Sequence, residues 1–284
     1  MDLTSLKIIK YILGKRGVEP QKYLGQNFLI DRAIVHKLVS AAQVQPHDTV
    51  LEIGPGIGTL TQELARQAQR VVAIEKDSRM VEILKETLEG YPNVQIIHAD
   101  ALKINFQVSS FKSQANSKLQ IPKNYKVVAN LPYYITAPLI RKFLELCEAG
   151  PSTMTLVVQK EVAQRICSKP PNMSILAVSV QVYAKPKIIS YIKKNSFWPQ
   201  PQVDAAILQI TPFPTPYALD FPKFFTVVKA GFKQPRKQLV NNVSKELQLP
   251  RQKAEQWLLA NDIQPARRAE TLTVQDWINL VNSI

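Results

Sequence analysis

The chain has 284 residues, 45% of them hydrophobic, enough to bury one large core and a small one and too apolar for a disordered chain. Lys and Arg number 36 against 22 Asp and Glu, a net charge of +14 that favours a polyanionic partner. Cys147 and Cys167 form no Cys-x-x-Cys pattern and His36, His47 and His98 form no ligand-spaced cluster, so a disulfide framework and a metal site are not expected, and a reducing, cytoplasmic setting fits.

Residues 1–17 spread lysines through an apolar stretch with no small-residue cleavage site, and read as a short amphipathic helix rather than a signal peptide. No apolar run approaches the ~18 residues of a membrane span, so no membrane partner is expected. From about residue 30 to 150, apolar runs alternate with helical patterns, as in an open α/β sheet. Residues 30–42 read as a helix with Asp31 as its N-cap. A buried strand over 49–53 leads into Glu52-Ile53-Gly54-Pro55-Gly56-Ile57-Gly58, and a helix over 59–67 starts directly after these glycines. A strand over 70–74, a helix over 78–88 and a strand over 94–98 follow. Residues 107–124, rich in Ser, Gln, Asn and Lys, have no period and read as a surface loop. A fourth strand over 125–129 runs into Asn130-Leu131-Pro132-Tyr133. Next come a helix over 138–147, a strand over 153–158, helical patterns over 161–168 and 174–182, and a terminal strand pair over 188–192 and 205–210. Pro212-Phe213-Pro214-Thr215-Pro216 is the clearest linker. Beyond it the chain is predominantly helical, and residues 221–284 carry ten Lys/Arg against five Asp/Glu, a net of +5. The expected organisation is a domain over 1–212 with an N-terminal helical extension, then a small basic helical domain over 213–284 that is expected to bind RNA.

A strand, a glycine turn and a helix let the backbone approach a nucleotide-like ligand at a helix N-terminus. Gly54, Gly56 and Gly58 read G-x-G-x-G, not the G-x-G-x-x-G of dinucleotide enzymes, and no Walker-type Lys-Ser/Thr follows. Glu75 closes the second strand, where a carboxylate can accept both ribose hydroxyls of a nucleoside. Asp100 follows the third strand and can accept a hydrogen bond from an adenine amine. Each of these alone is no more than a tight turn or a solvated strand end. Together they sit at successive strand ends, where open parallel sheets bind ligands, and they suit S-adenosyl-L-methionine, which has ribose and adenine but no phosphate.

An adenine amine is a poor nucleophile because its lone pair is conjugated into the ring. Two acceptors on its hydrogens would draw the nitrogen toward a tetrahedral shape and stabilise the charge that develops as a methyl group arrives. The Asn130 side-chain oxygen and the Leu131 carbonyl suit those parts, Pro132 stiffens the turn, and Tyr133 offers a face for the base, a contact worth roughly 1–3 kcal/mol. No general base is needed to begin the displacement, since the proton can leave afterwards to water. Catalysis is then mainly positioning, with nitrogen about 3–3.5 Å from the methyl carbon and in line with the sulfonium. Phe197-Trp198-Pro199-Gln200-Pro201, after Lys193 and Lys194, is a second wall for the base or a Pro-rich turn capping the core.

These motifs resemble the bacterial 16S ribosomal RNA adenine dimethyltransferases and their mitochondrial and eukaryotic relatives. The resemblance runs from Gln21-Lys22-Tyr23-Leu24-Gly25-Gln26-Asn27-Phe28-Leu29 to Gly231-Phe232-Lys233, and its most specific signal is the Gly-Gln-Asn-Phe-Leu segment, which secondary structure alone does not call for. It implies a Rossmann-like, S-adenosylmethionine-dependent methyltransferase core with a small C-terminal all-helical domain. It implies that Asn27 and Leu29 help close over the cofactor, with further contacts at Gly54, Glu75, Asp100 and Asn130. It also implies transfer of two methyl groups to N6 of each of two adjacent adenines, in the hairpin loop near the 3′ end of small-subunit rRNA, within the subunit or its precursor. A role in small-subunit biogenesis goes with that reaction.

The chain departs from the family pattern in three places. Phe232-Lys233-Gln234-Pro235-Arg236-Lys237 replaces Phe-X-Gln-Arg-Arg-Lys, so Pro235 removes one charge and one backbone donor from a segment in which Arg236 and Lys237 remain to grip RNA. Ala206 stands where the family commonly has Ser, and the loop over 169–173 is shorter than usual. None of these touches the expected chemical centre. Three other functions remain open: methylation of one adenine in large-subunit rRNA, an assembly factor without turnover, and a small-molecule methyltransferase, the last disfavoured by the charge. Phe197-Trp198-Pro199-Gln200-Pro201 and the late Phe-Lys-Gln segment look more like the small-subunit enzymes.

Overall fold

The computed structural model describes residues 1–21, 24–104, 106, 124–145, 150–214 and 219–284. Lys22 and Tyr23, most of the loop expected over 107–124, Cys147 at the end of an expected helix, and Thr215 and Pro216 of the linker lie outside the described residues. In chain order the strands are β1 (Phe28–Leu29), β2 (Thr49–Ile53), β3 (Arg70–Glu75), β4 (Val94–His98), β5 (Lys126–Asn130), β6 (Thr153–Gln159), β7 (Ala184–Ile192), β8 (Phe197–Trp198) and β9 (Ala205–Pro212). The α-helices are α1 (Leu6–Lys15), α2 (Arg32–Ala42), α3 (Thr59–Ala65), α4 (Ser78–Thr87), α5 (Thr136–Leu144), α6 (Lys160–Ile166), α7 (Ile175–Gln181), α8 (Phe221–Gly231), α9 (Leu239–Glu246), α10 (Arg251–Leu259) and α11 (Val274–Asn282). Among the described residues, no helix is long and apolar enough to cross a membrane.

Seven strands form one mixed sheet in the order β4-β3-β2-β5-β6-β9-β7. Strands β2 to β6 run parallel, and β9 runs antiparallel to β6. Every residue of β2 is buried, as expected of a central parallel strand covered on both faces. The chain builds β3 and β4 on one side of β2 and then returns to place β5 on the other. That reversal opens a crevice at the carboxyl ends of β2 and β5, the usual ligand site of such sheets. One core cluster joins α2 and α3 to the sheet through Val35, Leu38, Leu60, Leu64, Val71 and Val128. A second packs α1, through Ile9, Ile12 and Leu13, against Phe28, Ile57, Met80 and Ile83.

The elements read from the pattern are present, with ends shifted by a few residues. The helix expected from residue 138 begins at Thr136, and the strand expected from 188 begins at Ala184. Pairing of β1 with β8, which puts Phe28 opposite Trp198 and Leu29 opposite Phe197, was not legible, because two-residue strands carry no period. Ala206 is fully buried in β9 opposite Val158, where a small apolar side chain fits.

Two compact units emerge: residues 1–163 with 187–212, and residues 164–186 with 213–284. The second differs from the expected 213–284 by recruiting 164–186. There, the Met173 N–H donates to the Glu270 carbonyl at 2.9 Å, and Tyr183 stacks on Phe221 at 4.5 Å. A single boundary along the chain cannot express such a return. Within this unit Trp277 is fully buried, its ring 5.6 Å from that of Phe232, and a capping box between Thr273 and Asp276 starts α11.

Candidate active site

A cleft of about 1000 Å³, its open mouth included, lies at the carboxyl ends of the central strands in the first unit. Asn27, Leu29, Gly54, Glu75, Asp100, Asn130, Leu131, Pro132, Tyr133 and Phe197 all line it. The fold thus brings together ten of the twelve residues singled out from the sequence. Arg236 and Lys237 belong to the second unit and do not line it.

The floor is the glycine turn. The Gly54 N–H donates to the Ile74 carbonyl at 2.9 Å, which ties the turn to the end of β3. Gly56 has φ +60°, and a Cβ there would lie 3.0 Å from the Phe28 ring. Glycine is needed at that point for both conformation and space.

Glu75 ends β3 and is 7% exposed. Its two oxygens accept from the Asp77 N–H at 2.8 Å and the Gly56 N–H at 3.2 Å, so the carboxylate is aimed before any ligand arrives. Burial pushes its carboxyl above the usual value, with those backbone N–H groups acting the other way. The Ala99 N–H donates to the Glu75 carbonyl at 2.9 Å, which sets the Asp100 loop beside it. Asp100 accepts from the Leu102 N–H and pairs with the Lys76 ammonium, each at 3.0 Å. Burial opposes its charge, yet the Lys76 ammonium and the Leu102 N–H hold its carboxyl below the usual range. From α5, Lys142 donates to the Ala101 and Leu102 carbonyls at 3.2 and 2.6 Å and braces the same loop.

On the opposite wall, Asn130 is the last residue of β5. Its Nδ2 donates to the Asn27 carbonyl at 2.9 Å, which assigns the amide and leaves Oδ1 as the acceptor. The Leu131 N–H donates to the Val157 carbonyl at 3.3 Å, and the Pro132 carbonyl accepts from the Ile135 N–H at 3.1 Å, closing a 3₁₀ turn over Tyr133–Ile135. Tyr133 is half-buried, and burial together with the Asp204 charge holds its hydroxyl protonated. Phe197, 3% exposed, belongs to the core cluster around α2 and shows only part of itself to the cleft.

The cleft also includes residues to which the sequence assigned no role, among them Gln26, Glu52, Lys76 and Tyr134. Glu52 is 1% exposed within β2, and its Oε2 has no hydrogen-bond partner. Burial pushes its carboxyl up to about 8; the neighbouring Thr61 hydroxyl offsets this in part without reaching hydrogen-bond geometry, and the Glu75 charge adds to it. A carboxylate inside the otherwise apolar run Val50-Leu51-Glu52-Ile53 was the available signal.

Residues 18–284 match the ribosomal RNA adenine dimethylase family. Ribosomal RNA small subunit methyltransferase A of Geobacillus thermodenitrificans is 41% identical over 291 aligned positions, covering 100% of this chain and 97% of that one. Among solved structures, a dimethyladenosine transferase from Plasmodium falciparum superimposes with TM-score 0.71 at 26% identity, over 88% of this chain and 94% of that one. The 23S rRNA methyltransferase ErmE does so with TM-score 0.71 at 25% identity, over 90% and 99%. With that architecture, and with the glycine turn, Glu75, Asp100 and Asn130 gathered in one cleft, the chain belongs to the ribosomal RNA adenine dimethylase family.

Proposed function

We infer that this chain transfers methyl groups from S-adenosyl-L-methionine to adenine N6 in small-subunit ribosomal RNA, forming dimethyladenosine at two adjacent adenines of the hairpin loop near the 3′ end. The observation that carries this reading is Asn130, whose amide is locked by the Asn27 carbonyl with its acceptor oxygen left over, in the same cleft as Glu75 and Asp100.

The residues present fit the cofactor. Glu75, held by two backbone N–H groups, keeps lone pairs for two ribose hydroxyls, and Asp100 keeps one for an adenine amine. Gly54, Asn27 and Leu29 would close around the remainder. Among the described residues, Lys76 is the only cation in the lining, and it pairs with Asp100, which suits a nucleoside better than a nucleotide phosphate. Bound there, S-adenosyl-L-methionine supplies an electrophilic methyl group on a sulfonium.

The chain's own part is to hold the amine. Asn130 Oδ1 and the Leu131 carbonyl accept its two hydrogens and favour the pyramidal, positively charged nitrogen of the transition state. Pro132 fixes the turn, and the Tyr133 ring and the exposed part of Phe197 bracket the base. Tyr133, held protonated, is no base, and the departing proton goes to water. In the second unit, the turn between α8 and α9 exposes Lys233, Arg236 and Lys237. Buried Asn242 steadies that turn by donating to the Gly231 carbonyl at 2.7 Å and the Gln234 carbonyl at 3.0 Å. Arg236 and Lys237 would meet RNA phosphates.

The test offers S-adenosyl-L-methionine with undermethylated small ribosomal subunits and, in parallel, large-subunit RNA, and maps modified nucleotides by mass spectrometry. Dimethyladenosine at two adjacent positions near the 3′ end of small-subunit RNA is the expected product. A single methylated adenine in large-subunit RNA would overturn the substrate assignment in favour of the activity named for ErmE. Cofactor binding without transfer to either RNA would overturn both.

A further inference from the structure

The geometry points to Gln26 as a positioning residue: its side-chain amide straps the Leu24–Leu29 segment across the cofactor cleft and thereby holds Asn130 in its amine-gripping orientation. This rests on the function proposed above and concerns how the two halves of that site are kept in register.

Gln26 Nε2 donates to Asp77 Oδ2 at 2.9 Å, and its Oε1 accepts from the Gln21 N–H at 2.8 Å. With both ends engaged by groups of fixed polarity, the amide has one orientation. Asp77 is the N-cap of α4; its Oδ1 accepts from the Arg79 N–H at 3.0 Å and Nε at 2.9 Å, its Oδ2 also pairs with Arg79 Nη2 at 2.6 Å, and its own N–H donates to Glu75 Oε1. On the other side of Gln26, the Asn27 carbonyl accepts from Asn130 Nδ2. A continuous path therefore links the ribose-accepting carboxylate to the amine acceptor: Glu75, Asp77, Gln26, Asn27, Asn130. The strap also lies close on the Asn130 turn. Gly25 has φ +62°, and a Cβ there would come within 3.2 Å of Pro132 Cβ, so this turn admits no side chain without a shift. Leu24 to Leu29 line the cleft along this path, so a bound cofactor would lie against it. Releasing Gln26 from Asp77 frees the strap and the Asn130 amide together. A side chain that only filled space would couple neither.

The test compares Gln26→Met, which keeps length and loses the donor, and Gln26→Glu, which sets a second carboxylate against Asp77, with the double substitution Gln26→Glu and Asp77→Asn. The double variant reverses donor and acceptor. An asparagine at 77 keeps its oxygen on the Arg79 N–H and Nε and turns its amide toward the introduced carboxylate, which still accepts from the Gln21 N–H and takes over the Arg79 Nη2 that Asp77 Oδ2 holds at 2.6 Å in the wild type. We expect both single variants to release cofactor faster, on the order of tenfold as for a lost hydrogen bond to a charged group, and to lose kcat at saturating cofactor, with KM for RNA within about twofold. The double variant should recover most of both losses. Unchanged cofactor release in both single variants, a defect confined to KM for RNA, or a double variant worse than either single one would each overturn the assignment. Thermal unfolding of each variant separates a folding defect, which would lower the midpoint, from a released strap, which would leave it near that of the wild type. Cofactor release is measured without RNA, so it reads out this proposal even where the wild-type chain fails to methylate small-subunit RNA.

Discussion

In the cleft, three buried or half-buried polar side chains are each directed: Glu75 by two backbone N–H groups, Asn130 by one carbonyl, Gln26 by an acceptor on one end and a donor on the other. In the helical unit, the cations with a functional reading stand exposed on a turn, and a buried polar side chain, Asn242, serves the backbone beneath them. The first arrangement recognises single atoms, because a group withdrawn from solvent and held in one orientation discriminates by geometry and is expensive to leave unpaired. The second recognises charge density, because exposed cations act through counterion release and tolerate displacement. Losing one residue should therefore be severe and specific in the cleft, and graded and salt-dependent in the helical unit.

The sharpest way to break this contrast is Asn130→Ala. Removing a transition-state acceptor should lower kcat by about 10²- to 10³-fold with RNA affinity unchanged, checked by single-turnover methylation beside an RNA-binding titration. Activity near wild type would mean the amine is held elsewhere.

Glu75→Gln comes next. It should weaken cofactor binding by roughly tenfold to a hundredfold, as for hydrogen bonds to a charged acceptor. It also carries a pH signature. Burial holds the Glu75 carboxyl above its usual value, so in the wild type the ribose-accepting charge is lost as pH falls through that raised value, earlier than for an exposed carboxylate. Cofactor affinity should fall on mild acidification, and calorimetry on Glu75→Gln should find that dependence gone.

Glu52 tests burial without a partner. Its carboxyl stands at about 8 in the folded chain against an ordinary 4.5. Between those values the unfolded chain has released a proton that the folded chain retains, so stability falls as pH rises from about 4.5 to about 8, by at most about 1.4 kcal/mol per unit. Glu52→Gln should flatten the denaturation midpoint across that window. A midpoint that still falls as in the wild type would assign the effect to other groups.

The smallest effect is expected in the helical unit. Replacing Arg236 and Lys237 by alanine should weaken RNA binding several-fold and lower the slope of log affinity against log salt by about 2, with cofactor binding unaltered. An unchanged slope would move the RNA contact away from this turn.

The order of strands and helices was legible because buried parallel strands read as apolar runs and the helices as 3.6-residue periods, both local properties. Asp31 as a cap, the glycine turn and the carboxylates at two strand ends followed for the same reason: each is set by its neighbours in sequence. The two-residue pairing of Phe28 and Leu29 with Trp198 and Phe197 was hidden, since nothing within either pair signals a partner some 170 residues away in the chain.

By itself, then, the sequence determined the α/β class, the basic helical tail, the family and ten of the residues that line the cleft. Tertiary structure decided what those residues do to one another. It set Gln26 on Asp77, the Asn27 carbonyl on Asn130 and the Gly56 N–H on Glu75, and it drew residues 164–186 into the helical unit. The physical reason is range. Periodicity and capping act over a few residues, whereas the partner that turns an amide or fixes a carboxylate comes from another strand end and is chosen only when the chain packs.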